Sequence, residues 1–168
     1  MTIAVVVGTF DYFHKGYLTT INKALEVADR VIVAIKKEGV FSQDIRKMEV
    51  ESAYMQEGRL TTLLLPNDDM KEIESGIRLV INTFGGTLAY FVTANIDKTL
   101  FKKDNSVKKI ICAKVKKVNV EKIEDRLMRW ELERCYKYFH KETRLLLDVL
   151  ANELIQRKLE NGDYTKTN

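Results

Sequence analysis

The sequence predicts an α/β protein, with a Rossmann-like, doubly wound and mostly parallel sheet of five strands followed by C-terminal helices. Short apolar runs alternate with segments in which apolar residues recur every three or four positions. The runs 3–7 and 31–35 are apolar at every position, which is typical of parallel strands covered by helices on both faces. Right-handed crossover connections are therefore expected between the strands.

The individual elements follow from the positions of the apolar runs and of the residues that start and stop helices. Ser42 is a suitable N-cap for a polar helix that Gly58 would end, and Pro66 breaks a strand. Asp68 and Asp69 are expected to cap the next helix, which Gly85-Gly86 would end. The predicted strands cover 3–7, 31–35, 60–65, 88–92 and 107–113. The predicted helices between them cover 17–28, 42–58 and 70–84.

A length of 168 residues with 45% apolar composition predicts one domain with a substantial core. We expect an α/β core over 1–120, a helical extension of the same domain over 121–163, and a frayed tail over 164–168. The helical segment shows a break near His140 and an apolar stripe that would cover the sheet or form a subunit interface. The second possibility predicts a homo-oligomer. The stripe consists of Trp130, Cys135, Phe139, Leu146, Leu150 and Leu154.

Cysteine usage and the apolar runs predict a cytoplasmic protein. Cys112 and Cys135 are too few and too far apart for a disulfide framework or a metal quartet, which favours a reducing compartment. We expect no signal peptide, because Met1 is not followed by a charged region, an apolar core and a small-residue cleavage site. The apolar runs are far shorter than a membrane span, so no membrane partner is expected.

The net charge of +4, from 28 basic and 24 acidic residues, is mild, but the lysines are unevenly placed. Doublets occur at 102–103, 108–109 and 116–117, as they could in a nucleic-acid groove. No glycine-aromatic RNA-binding signature or basic recognition helix accompanies them. A solvated strand edge that lysine protects against aggregation is the favoured interpretation, and nucleic acid is not an expected partner.

The junction between the first strand and the first helix is the predicted functional site. The N-terminus of a helix directs backbone N–H groups and a positive dipole end toward one point, where an anion such as phosphate is stabilised. Gly8 and Gly16 allow close approach of a ligand to the backbone, and Thr9 offers a hydroxyl. His14, at the helix start, can donate a hydrogen bond to a phosphate oxygen.

Other polar residues follow the remaining strands, and the carboxyl ends of parallel strands form one ligand-binding edge. Lys36 and Lys37 follow the second strand and could bind a substrate phosphate, or could be ordinary solvated residues. Asn95, in the loop after the fourth strand, is a further candidate for substrate binding. No group of residues in the sequence predicts a protein-held metal.

The stretches Gly8-Thr9-Phe10-Asp11 and His14-Lys15-Gly16 resemble a family of nucleotidyltransferases with a Gly-Thr-Phe-Asp strand end and a His-x-Gly-His helix start. Glycerol-3-phosphate cytidylyltransferase and phosphopantetheine adenylyltransferase belong to this family. The resemblance covers about the first fifth of the chain well. It implies transfer of CMP or AMP from CTP or ATP to a phosphorylated small molecule, with release of pyrophosphate and with Mg²⁺ accompanying the triphosphate.

The resemblance also implies residue roles. His14 would hold phosphate oxygens and stabilise the transition state, while residues of the first motif and the helix start would contact the nucleotide. The expected nucleotide-binding residues are Gly8, Thr9, Phe10, Asp11 and Gly16. Phe13-His14 is more similar to the cytidylyltransferase branch, which slightly favours CTP as the donor.

Two positions depart from the family pattern. Tyr17 stands where the second histidine is expected, and a neutral phenol can donate one hydrogen bond without adding charge. The family's Ile-Ser-Ser-Thr stretch is replaced by 118–124, where Asn119 could cap a helix near the triphosphate. These departures leave two hypotheses: an enzyme with His14 and Tyr17 in catalysis and Asn119 in nucleotide binding, or a catalytically degenerate relative that binds a nucleotide or a protein.

Overall fold

The computed structural model describes residues 1–94, 100–112 and 118–162. These residues contain a five-stranded, fully parallel sheet in the order β3-β2-β1-β4-β5. The strands are β1 (Thr2–Gly8), β2 (Arg30–Ile35), β3 (Leu60–Leu64), β4 (Thr87–Thr93) and β5 (Lys108–Ile111). The predicted fold class is confirmed. The order in which successive strands are added reverses between β1 and β4, and this switch point creates the crevice in which such sheets bind ligands.

Helices cover both faces of the sheet because β1 and β2 are apolar on both faces. Ile3 and Val5 pack with α3 (Met70–Thr83), whereas Ala4 and Val6 pack with α1 (Lys15–Val27). Val50 of α2 (Gln43–Ala53) joins the second layer. Alternate residues of one strand thus belong to two cores, as the period of a strand requires.

Several predicted helix boundaries agree with the structure where a local signal marks them. The predicted end of the second helix at Gly58 is wrong, because α2 ends at Ala53 and Gly58 lies in the following turn. Ser42 caps α2 by accepting a hydrogen bond from the Ile45 N–H, and Asp69 caps α3. Gly85 adopts a φ of 63°, so it ends α3 in the left-handed conformation that favours glycine. Lys108 and Lys109 are exposed on β5, an edge strand, which confirms the predicted lysine-bearing edge there. The third lysine doublet lies outside the described residues.

The C-terminal region is less continuous than its sequence pattern predicts. It contains α4 (Val120–Met128), α5 (Leu132–Cys135), two 3₁₀ turns at 136–138 and 143–146, and α6 (Leu147–Glu160). Trp130 ends α4 with a φ of 59°, and the Glu131 N–H donates to the Arg126 carbonyl in a Schellman arrangement. Trp130 is therefore 48% exposed and is not part of the predicted apolar stripe.

Four other members of the stripe, Cys135, Phe139, Leu150 and Leu154, form a third core with residues from the first half of the chain, whereas Leu146 is half-buried outside it. Cys135, Phe139 and Leu150 are buried there beside Tyr12 and Phe41. Packing against two aromatic rings from separate loops requires a bent path, which explains why the chain turns instead of continuing as one helix. Within the described residues, every helix is too short or too polar to cross a bilayer.

Candidate functional site

The site is built on the loop between β1 and α1, residues 9–14, which we call the corner loop. Phe10 and Tyr12 adopt φ values of 56° and 48°. The left-handed region is disfavoured for bulky side chains, so such residues persist only where surrounding contacts hold them. The corner loop is accordingly anchored from several other parts of the chain.

Arg46 of α2 supplies the first anchor. Its side chain is 1% exposed, and its guanidinium donates to the Thr9 carbonyl at 2.7 Å and to the Lys36 carbonyl at 2.9 Å. It also donates to the carbonyls of residues 37, 38 and 41. Five N–H donors in a planar fork allow one arginine to bind two loops at once. The loops after β1 and β2 are thus joined through a single side chain.

Asp11 supplies the second anchor. Its two carboxylate oxygens accept hydrogen bonds from the Val40 N–H at 2.9 Å and the Phe41 N–H at 3.1 Å. The same carboxylate lies 3.7 Å from Nε of Arg46, which provides a countercharge for the buried guanidinium. Asp11, predicted to contact the nucleotide, therefore has both oxygens engaged in holding the loop after β2.

Glu49 holds the far end of the corner loop. Its fully buried carboxyl accepts a hydrogen bond from the Phe13 N–H at 3.1 Å. Burial raises the pKa of Glu49 well above its ordinary value, because desolvation disfavours the charged form, and the Asp11 carboxylate adds to the shift. Thr9, Asp11 and Phe13 are therefore each fixed by a residue of α2 or its preceding loop.

A cavity of about 250 Å³ lies at the carboxyl ends of β1 and β4. This is the point where the strand order reverses, and it is where parallel α/β sheets bind ligands. It brings together five residues predicted from the sequence: Gly8, Thr9, Phe10, Tyr17 and Lys36. The other described lining residues are Val6, Val7, Thr20, Thr93 and Ala94.

His14 adjoins this cavity through Tyr17 and is not among its described lining residues. Nδ1 of His14 caps α1 by accepting a hydrogen bond from the Gly16 N–H at 3.1 Å. In the neutral imidazole the proton is therefore on Nε2, which is the donor left for a ligand. The ring stacks on Tyr17 with 4.5 Å between centroids and 20° between planes.

Burial keeps both stacked rings uncharged near neutral pH. Desolvation lowers the pKa of His14 to about 4 and raises the pKa of the Tyr17 phenol. A hydrogen bond with the Thr9 side chain partly opposes the second shift. The pair therefore offers hydrogen bonds to a ligand without supplying positive charge, and Lys36 is the one charged side chain among the described residues lining the cavity.

The remaining predicted residues have other surroundings. The Gly16 N–H is used by His14, and Asn119 caps α4 by accepting from the Lys122 N–H at 3.0 Å. Lys37 is exposed, and its backbone N–H donates to Asp68. The prediction that Asp68 caps α3 is wrong, because its carboxylate instead holds the turn after β2. Asn95 lies outside the described residues.

Sequence reasoning missed several residues that the structure brings to the site. Thr20 follows Tyr17 by one helical turn and so shares its face of α1, a spacing that could have identified it. Thr93 could have been found as the last residue of β4. No local signal identifies Arg46 or Glu49 as anchors, because charged residues on a polar helix are ordinarily solvated.

The described residues do not bring three His, Cys, Asp or Glu side chains together in a way that could hold a metal ion. The one carboxylate of the corner loop, that of Asp11, already accepts two backbone hydrogen bonds.

The geometry defines a class of protein: a parallel α/β fold with a cavity of mixed polar and apolar lining at its switch point, beside a capped helix N-terminus. Residues 5–62 match the model of a family described as cytidylyltransferase-like. This match confirms, for that segment, the resemblance drawn from the first motifs.

A curated relative extends the match beyond this segment. The chain is 34% identical over 87 residues to phosphopantetheine adenylyltransferase from Desulfotalea psychrophila (strain LSv54 / DSM 12343). The match covers 48% of this chain and 51% of the relative, so the chain spans about half the length of the curated relative it matches.

Solved structures share the whole fold at low identity. A bifunctional NMN adenylyltransferase/ADP ribose pyrophosphatase from Francisella tularensis, complexed with AMP and a manganese ion, has a TM-score of 0.67 at 18% identity, covering 98% of this chain and 55% of that one. A nicotinic acid mononucleotide adenylyltransferase from Plasmodium falciparum, complexed with APC, has a TM-score of 0.57 at 13% identity, covering 95% and 97%. These similarities show the fold.

The packing around Arg46 gives a stability prediction. A Cβ at Gly39 would lie 2.6 Å from the Arg46 guanidinium carbon, and hydrogen bonds prevent that group from moving away freely. We expect Gly39→Ala to lower the free energy of unfolding by about 1–3 kcal/mol, the usual cost of overpacking. Urea denaturation measures this change.

Gly58→Ala is the matched control, because a Cβ there meets no atom within 4 Å. Its free energy of unfolding should equal that of the wild type or exceed it slightly. Equal stability of the two variants would contradict the rigid placement of Arg46.

The lowered pKa of His14 predicts a loss of stability on acidification. Below pH 6.5 the unfolded chain binds a proton on this imidazole that the folded chain, with a pKa of about 4, does not. The contribution of His14 should therefore decline from about pH 6.5 to about pH 4 and level off below. The free energy of unfolding, compared at pH 7.5 and pH 4.5, tests this.

His14→Asn isolates the effect, since asparagine keeps a helix cap and does not titrate. The variant should lose less stability than the wild type between the two pH values. The same loss in both proteins would mean that other groups cause it.

Proposed function

We propose that the protein is a nucleotidyltransferase that transfers AMP or CMP from ATP or CTP to a phosphorylated small molecule. A phosphate oxygen of the acceptor attacks the α-phosphorus of the triphosphate, and the bond from the α-phosphorus to the bridging oxygen breaks. Pyrophosphate leaves with that oxygen. Such transfers need the protein mainly to position the reactants and to stabilise developing charge.

The cavity at the switch point is the observation that carries this proposal. Gly8 and Thr9 end β1 there, the positive end of α1 lies alongside, and Lys36 lines the wall. Lys36 offers an ammonium group to a phosphate of the acceptor or donor, while Thr9 and Tyr17 offer hydroxyls. These groups form a binding surface for phosphate oxygens at the edge where the fold binds ligands.

His14 and Tyr17 act in this proposal as neutral hydrogen-bond donors. Nε2–H of His14 would bind an oxygen of the transferring phosphoryl group when the nucleotide is seated, and the Tyr17 hydroxyl would bind another. Loss of one transition-state donor costs roughly 10²- to 10³-fold in rate in a well-studied hydrolase. With Tyr17 in place of the second histidine, we therefore expect slow transfer and not a complete loss of transfer.

The divalent ion of this reaction would be carried by the triphosphate. The described residues offer no set of three ligands for it, which is consistent with coordination mainly by phosphate oxygens and water. Mg²⁺ is the proposed ion, and the manganese ion in the Francisella tularensis structure is compatible with a divalent requirement. The ion would neutralise negative charge in a cavity that contains little positive charge of its own.

The relatives inform the choice of donor and acceptor. The curated relative is named as an adenylyltransferase acting on phosphopantetheine, which supports AMP as the transferred group. The Phe13-His14 pair supports CMP. Both donors therefore belong in the first test, with phosphopantetheine, nicotinate mononucleotide and glycerol 3-phosphate as acceptors.

Lys36→Ala and Lys37→Ala provide a matched test, because the lysines are neighbours and only Lys36 lines the cavity among the described residues. With the donor and acceptor that give most pyrophosphate, Lys36→Ala should lower kcat/KM by about tenfold or more, the loss expected for a charge-assisted contact of about 1.4 kcal/mol or more. Lys37→Ala should remain within about twofold of the wild type.

Pyrophosphate release, measured with a coupled assay in Mg²⁺, gives the result. Equal losses in the two variants would place the reaction outside the cavity. No pyrophosphate from the wild type with any pair would contradict transfer activity on these substrates.

A catalytically degenerate nucleotide-binding protein is the second candidate. The specific observation in its favour is that Tyr17, not an imidazole, lines the cavity while His14 lies behind it in the stack. In this case ATP or CTP should raise the Tm, with an increase that continues to grow with the logarithm of the nucleotide concentration above Kd, and no pyrophosphate should form.

Tyr17→His separates the two candidates further. In a binding protein the variant should bind nucleotide more tightly while the wild type shows no turnover, as measured by isothermal titration calorimetry and pyrophosphate release. Detectable turnover by the wild type would exclude the binding-only hypothesis. Tyr17→Phe, which keeps the ring and removes the hydroxyl, controls for the aromatic stack.

A further inference from the structure

We propose that the C-terminal helices position the corner loop, and that Tyr12 and Glu124 are positioning residues that hold this loop in its active geometry. The catalytic part of this inference rests on the proposed nucleotidyl transfer. The structural part does not, because it concerns where His14 is held.

The contact joins the two ends of the chain. The Tyr12 hydroxyl donates a hydrogen bond to Oε1 of Glu124 at 2.6 Å, across a separation of 112 residues. Tyr12 is 1% exposed, and its ring packs edge-on against Phe41 with 4.9 Å between centroids. A phenol so buried needs a hydrogen-bond partner, and Glu124 of α4 is that partner.

A second contact holds the other side of Phe13. The backbone of His14 forms an isolated antiparallel bridge with Phe139, which is fully buried in the C-terminal core. Tyr12 and His14 are thus each attached to a different part of the C-terminal region. Phe13, between them, is attached to Glu49 of α2.

The backbone of Tyr12 explains why this attachment matters for position. Its φ of 48° is a conformation that an aromatic residue leaves unless its side chain is held. A return to the extended or right-handed region would rotate the chain between Asp11 and His14. The imidazole and its stacking partner Tyr17 would then shift relative to the cavity.

In this proposal Glu124 acts as a hydrogen-bond acceptor, and its negative charge is not required. Its acceptor oxygen receives the hydrogen bond, so glutamine, whose amide oxygen also accepts, can replace it. Alanine cannot. A purely packing role of this contact would leave Tyr12→Phe like the wild type, since that substitution removes only the hydroxyl and keeps the buried ring.

The test compares Tyr12→Phe, Glu124→Ala and Glu124→Gln in the full chain. Glu133→Ala, at an exposed position of α5, controls for the removed charge. The first readout is the pKa of His14 by NMR, which requires no turnover. The chain has two histidines, so His140→Gln assigns the signals.

We expect Tyr12→Phe and Glu124→Ala each to raise the pKa of His14 from about 4 toward its ordinary value by about half a unit or more, because the loosened imidazole becomes better solvated. Glu124→Gln and Glu133→Ala should titrate like the wild type. The double variant Tyr12→Phe with Glu124→Ala should show no further shift, since both changes remove the same bond.

The second readout is kinetic. If the wild type transfers nucleotides, kcat should fall about tenfold or more in Tyr12→Phe with a smaller change in KM, because misplacement of a catalytic group acts on the transition state. Glu124→Gln should retain the wild-type kcat. A wild type without turnover would contradict the proposed function, while the NMR result would still decide the positioning role.

An unchanged pKa of His14 in Tyr12→Phe and Glu124→Ala would overturn the proposal. So would a Glu124→Gln variant that behaves like Glu124→Ala. If Glu124→Ala fails to fold, Tyr12→Phe and Glu124→Gln decide, because Tyr12→Phe keeps the buried ring and Glu124→Gln keeps the acceptor.

Discussion

The buried guanidinium of Arg46 is the interaction on which the site depends. A cation removed from water is costly unless its donors are satisfied, and here they meet the carbonyls of Thr9 and Lys36 and those of residues 37, 38 and 41. Asp11 supplies a countercharge 3.7 Å away. One side chain of α2 thereby fixes the loops after β1 and β2 relative to each other, and both loops contribute lining residues to the cavity.

The corner loop illustrates how the protein prepares a site before a ligand arrives. Two aromatic residues hold left-handed backbone conformations, and backbone or side-chain groups of the loop are held by Arg46, Glu49 and Glu124. A loop held at several points loses little freedom when phosphate binds. Transfer of a phosphoryl-linked group relies mainly on such preorganised placement.

The cavity and its neighbouring residues offer a ligand mainly neutral hydrogen-bond donors and little positive charge. Burial keeps the imidazole of His14 and the phenol of Tyr17 uncharged near pH 7, so Lys36 carries the positive charge among the described lining residues. A nucleoside triphosphate brings several negative charges. An accompanying divalent ion would complement this site in the proposed reaction, because the protein itself supplies so little compensating charge.

The sequence by itself determined the strands, most helix boundaries and five lining residues of the cavity. The apolar runs predicted that both faces of β1 and β2 are buried. Ser42, Asp69 and Gly85 marked helix ends, because each acts through contacts within a few residues. Only the tertiary structure decided that Asp68 holds the turn after β2 and that Glu124 anchors Tyr12. Periodicity and caps are short-range properties that a sequence displays, whereas these anchors join residues about 30 to 112 positions apart and arise from which surfaces packing brings together.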